Sequence, residues 1–235
     1  MAVGAVILVI VGVLGWRSYS AGQEAERQAA FAEALRLYHA EVRDPDAAET
    51  PETSSEPVFS SREEKYTQAL EKFEELAANY SGTTVGRFAD YYAALCLREL
   101  GRLDEAQARL EDLLSRVSSP DLKNLVQQSL AEMAAAAGDH KKAAEIWQEI
   151  VDAPAARFPM SIALLRLAEA KERAGDLAEA LELYRRIVRE FPGSTAASQA
   201  TTLIRRLEPR VAAQTPPGAP GETTAPGPDA PAEEN

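Results

Sequence analysis

The chain predicts an all-α fold, an N-terminal membrane-anchor helix followed by a solenoid of stacked antiparallel helical hairpins. Three observations carry that expectation. First, a short phrase recurs at a constant distance. Gly101, Gly138 and Gly175 stand 37 residues apart, as do Ala106, Ala143 and Ala180, with Ala69 one step earlier. Second, the large side chain four residues on recurs at the same step, as Phe73, Leu110, Trp147 and Tyr184, and then Leu76, Leu113, Ile150 and Ile187 follow. A constant period of this size marks a stacked repeat array. Third, the apolar residues on both sides of each glycine keep helical spacing. Each glycine therefore ends one helix and turns the chain, and each alanine opens the next. The small alanine lets antiparallel helices approach, and the bulky residue fills the gap to the neighbouring pair. A hairpin of this kind needs the next one to cover its apolar face.

The elements follow in order. Met1 to Trp16 is an unbroken apolar run, reaching roughly 24 Å as helix. Adding Ser18 to Ala21, with Arg17 snorkelling and Tyr19 at the interface, brings it close to a ~30 Å hydrocarbon core. Residues 1–20 are thus expected to anchor the chain in a lipid bilayer. Residues 21–43 continue as a juxtamembrane helix, the first of the stack, with Phe31, Ala34 and Tyr38 on its apolar side. Residues 44–61 hold Pro45, Pro51 and five acids with no base, a composition that leaves nothing to bury and predicts an acidic disordered loop. Residues 62–208 hold the repeats. Their helices are expected over 62–80, 85–100, 104–117, 120–137, 141–151, 159–174 and 177–191, with a capping helix over 195–207 that Pro209 stops. Residues 209–235 hold seven of the chain's fourteen prolines and predict a disordered acidic tail.

Charge narrows the function classes. The formal net charge is −12, and most of the imbalance lies in the loop and the tail. No basic face suggests nucleic acid. His39 and His140 have no second ligand at metal spacing. Carboxylates such as Asp104 and Glu105 sit at helix starts, where they favour the helix dipole. Cys96 lies mid-helix among apolar residues and reads as a buried thiol. No phosphate loop or nucleophile elbow occurs. These patterns predict no catalytic residue, no cofactor, no metal site and no small-molecule substrate, and leave a surface for protein partners.

The repeat phrase resembles the tetratricopeptide repeat, most closely in its third copy, Gly175, Ala180, Tyr184 and Phe191-Pro192, with Leu167-Ala168 in the preceding helix. The period of 37 exceeds the family's usual 34, and the early tryptophan of the first helix is absent. The resemblance implies that first helices line a partner groove. By the family's positions Tyr91, Arg98, Gln128, Glu132, Glu169 and Arg173 would face it.

The layout adds a second resemblance. An anchor ending Gly15-Trp16-Arg17 runs into a helix, a loop and hairpins, and Ser119-Pro120-Asp121-Leu122-Lys123-Asn124-Leu125 leads into Leu130-Ala131. Over residues 5–208 this is similar to the bacterial single-pass family typified by the ancillary subunit of the SecYEG translocon. That resemblance implies a scaffold in the inner membrane with periplasmic repeats, partnered by the translocon and periplasmic chaperones. An alternative rests on Phe191-Pro192-Gly193-Ser194, which resembles the closing of the TolA-associated repeat proteins and implies an envelope adaptor in division or outer-membrane assembly.

Overall fold

The computed structural model describes residues 23–43, 57–153 and 159–214. Residues 1–20, the expected anchor, lie outside them, as do 44–56 of the expected loop and 215–235 of the tail. Among the described residues no helix is long and apolar enough to cross a membrane.

These residues form helix after helix. Helix α1 covers residues 23–39. It is followed by α2 (Arg62–Asn79), α3 (Thr84–Glu99), α4 (Leu103–Arg116), α5 (Pro120–Ala136), α6 (His140–Asp152), α7 (Met160–Ala174), α8 (Leu177–Glu190) and α9 (Thr195–Gln214). From α2 onward each helix packs against the next in the chain. The pairs α1/α2, α3/α4, α5/α6 and α7/α8 are the hairpins, and α9 closes the stack.

The hairpin turn is built the same way three times. Gly101, Gly138 and Gly175 have φ of 76°, 84° and 95°, a region that side chains with a Cβ avoid. The reversal lets a backbone N–H reach back around the helix end. Arg102 donates to Leu97, Asp139 to Ala134 and Asp176 to Lys171, each at 2.9 Å. Donor and acceptor both advance by 37 residues, so the period in the sequence is a period in hydrogen bonding.

The repeated alanines and bulky residues form the interior. Ala69, Ala106, Ala143, Ala180, Phe73, Leu110 and Tyr184 are completely buried, and Trp147 nearly so. Towards the N-terminus the filling is aromatic. Phe31 of α1 meets Phe73 edge-on at 5.8 Å and Tyr92 at 5.7 Å, and Phe73 stacks on Tyr92 at 5.2 Å. Tyr38 meets Tyr66 at 5.6 Å. Offset and edge-on rings add to the burial they already provide, which explains how α1 joins the stack across so long a connection.

Three boundaries depart from expectation. Helix α1 ends at residue 39, and Glu41–Val42 instead forms strand β1, parallel to β2 at Val58–Phe59. Phe59 is buried there, so the end of the acidic segment does have something to bury and is held against the stack. Ser61 then caps α2 by accepting from the Glu64 N–H, while the Glu64 carboxylate takes the Ser60 hydroxyl at 2.7 Å. Finally, Pro209 does not stop α9, which runs through it to Gln214. Proline removes one hydrogen bond on a solvent-facing turn, while buried Leu207, half-buried Val211 and the ion pair of Arg210 hold the helix on both sides.

Candidate functional site

The first helices α3, α5 and α7 carry the six residues expected to face a groove. Tyr91 does not face it. Its ring is buried between α3 and α5, and its hydroxyl pairs with Ser129 Oγ at 3.2 Å. A ring in the gap between two helices gains more from burial than from solvent, and the serine satisfies its polar end. Burial also pushes its phenol above the ordinary tyrosine range.

The other five lie on a connected surface. Arg98 is half-buried and reaches Glu132 at 3.8 Å and Glu99 at 3.4 Å. Gln128 donates to Glu132 at 2.9 Å. Glu132, Glu169 and Arg173 border one depression of about 400 Å³ between α5, α6 and α7. Trp147, the recurring bulky residue of this repeat, borders it as well, with His140 and Arg166, which the groove positions did not include. Arg166 pairs with Glu169 at 2.9 Å. The His140 Nδ1 is buried and has no hydrogen-bond partner among the described residues. The depression thus combines small alanine walls, one indole edge and both signs of charge. Those features suit extended or helical peptide, which brings its own charges and apolar side chains.

A second polar centre ties down the end of the stack. Glu172 of α7 is mostly buried and accepts from Arg206 and Arg210 of α9, each at 2.9 Å, and from the Tyr184 hydroxyl at 3.2 Å. Sequence spacing alone did not reveal it, because α9 follows a helix that intervenes in the chain.

Cys96 is completely buried, and that burial pushes its thiol up to about 12. Among the described residues no group of three histidine, cysteine or carboxylate side chains is placed to hold a metal.

Comparison with known proteins agrees with this geometry. A family model described as a tetratricopeptide repeat-like domain matches residues 1–154, and one described as a tetratricopeptide repeat matches residues 162–194. Among solved structures, nearly identical TPR-like repeats of a kinesin light chain-type protein from Podosopora anserina align with a TM-score of 0.51 at 17% identity. That alignment covers 64% of this chain and 81% of the other. A single-substitution form of the same protein gives 0.47 at 19% identity, covering 64% and 86%. No curated protein matches the chain. The first family model spans more than half of the sequence, and the chain belongs to the tetratricopeptide repeat-like domain family.

Proposed function

We propose that this protein is a membrane-tethered scaffold of the bacterial cell envelope that holds protein partners beside the translocon. Repeat folds of this family serve as non-catalytic interaction scaffolds, and a surface for protein binding follows from the family itself. The observation that carries the reading here is the depression between α5, α6 and α7, where Glu132, Glu169 and Arg173 meet Trp147 and Arg166. The apolar run from Met1 to Trp16 supports the tether. A tether confines the repeats to the bilayer surface and raises the effective concentration seen by weak partners. The layout that resembles the translocon's ancillary subunit supports the choice of partner, with the repeats in the periplasm and chaperones there as further clients.

Proximity labelling from the repeat domain in native membranes tests this. Labelled translocon subunits and periplasmic chaperones, lost when Arg173→Glu and Arg166→Glu are combined, are the expected result. Labelling confined to cytoplasmic proteins, or unchanged by the double variant, contradicts it.

A further inference from the structure

The 37-residue register allows one repeat to be read against the next, and the interval over α5 does not match the one over α3. Between α2 and α4, over α3, a charged network is complete. Arg109 bonds Glu74 at 2.8 Å and Asp90 at 3.2 Å, and Arg116 bonds Asp90 at 3.3 Å and Asp112 at 2.6 Å. Adding 37 to each position gives Glu111, Gln127, Ile146, Glu149 and Ala153. Two of the carboxylates are kept and both arginines are gone.

The place the counterpart of Arg109 would fill is a cavity of about 370 Å³ between α4 and α6, floored by α5. Glu111, Gln127, Ile146 and Glu149 line it, with Leu130 and Met133. Neither Glu111 nor Glu149 is in an ion pair among the described residues. Their hydrogen bonds come from neutral amides, Gln107 to Glu111 at 2.9 Å and Gln127 to Glu149 at 2.8 Å. Gln127 is 3% exposed, and its one side-chain bond uses Nε2, so Oε1 stays available to an incoming donor. On the rim, Asp139 and Lys142 offset each other in charge. One repeat further on, the corresponding floor residue is the fully buried Leu164, and the depression of about 380 Å³ at that place already holds a cation, Lys171, paired with Asp176 and Glu179.

We propose that this cavity receives an arginine side chain from a partner protein, seated where Arg109 sits one repeat earlier. Arginine fits better than lysine. Two carboxylates and an amide come from three helices, Glu111 from α4, Glu149 from α6 and Gln127 from α5, a spread that a five-donor planar fork meets better than a point charge. The aliphatic stem would lie along Ile146, Leu130 and Met133. The volume leaves room for an apolar neighbour of that arginine. Among the undescribed segments, residues 44–56 and 215–235 contain no Lys or Arg, which leaves Arg17 and Arg157 as the chain's own alternatives. The site shares α5 and α6 with the depression between α5, α6 and α7 but none of its lining residues, so one scaffold could hold two partners.

The test uses the full chain in detergent and a fluorescent acetylated and amidated peptide, Ala-Leu-Arg-Leu-Ala, with citrulline replacing arginine as the uncharged isostere. Binding at least ten-fold tighter for the arginine peptide, with NMR shifts at the Ile146, Leu130 and Met133 methyls, is expected. Ile146→Arg should supply the missing side chain internally and weaken binding at least ten-fold without lowering the melting temperature. The exposed double variant Glu111→Gln, Glu149→Gln should weaken it at least five-fold, a check that holds should Ile146→Arg not fold. Arg157→Gln should change nothing. Equal binding of both peptides, no binding of either, or shifts confined to residues around Arg173 would overturn the proposal. So would a ten-fold tightening in Arg157→Gln, which would mean the chain fills the site itself.

Discussion

The Tyr184 hydroxyl donates to Glu172 at 3.2 Å, across the gap between the second helix of the last hairpin and its first. Glu172 also accepts from Arg206 and Arg210 of α9. One carboxylate therefore joins α7, α8 and the closing helix. Replacing Glu172 with alanine should leave two guanidinium groups and a phenol without their acceptor. The expected loss is about 2 kcal/mol, in the range for removing a charged partner from a mostly buried site. Hydrogen exchange should rise first at residues 205–214, where the helix passes through Pro209. Equal exchange in both proteins would show that apolar contacts alone hold α9.

Gly86 lies inside α3, where alanine is normally favoured by ~1 kcal/mol. A Cβ there would stand 2.2 Å from the Tyr80 carbonyl oxygen, a backbone atom that cannot swing aside. Gly86→Ala should therefore destabilise the protein by more than about 2 kcal/mol, against its helix propensity. Three periods later the same position is Ala197. Urea unfolding of Gly86→Ala and Ala197→Gly should show losses of unlike size, the first larger.

Alkaline pH should weaken the fold in a defined window. Burial raises the Cys96 thiol to about 12 and lifts the phenols of Tyr38 and Tyr184, the latter helped by the charge of Glu172. The unfolded chain releases these protons from roughly pH 8.5 for cysteine and 10 for tyrosine. The folded chain keeps them, so stability is full below those values and falls as pH rises towards 12. Urea midpoints should be flat from pH 7 to 8 and drop between 9 and 11. Cys96→Ala should delay the start of that drop. A midpoint that climbs over the same range would contradict the burial of these groups.

The hairpins and their order were legible because alanine, glycine and the bulky residue each answer a local need that recurs every 37 residues. What was not legible depends on distant partners. Nothing near Phe59 in the chain shows that it pairs with Val42 and enters the core. Pro209 reads as a stop unless Leu207 and Arg210 are known to be held. Tyr91 sits where the family's groove residues sit, yet Ser129 gives its hydroxyl a buried partner. The empty arginine position at Ile146 can be found in the sequence only once Arg109 is known to bridge Glu74 and Asp90.

The account rests on hairpins that stack through the recurring alanines, and leucine substitution within α4 tests this most directly. Ala106 is completely buried, while Ala108, two residues on, is exposed. Urea unfolding of Ala106→Leu should show a loss of about 1–3 kcal/mol from overpacking, and Ala108→Leu should stay within about 0.5 kcal/mol of the parent. Equal losses, or a larger one at Ala108, would contradict the stack.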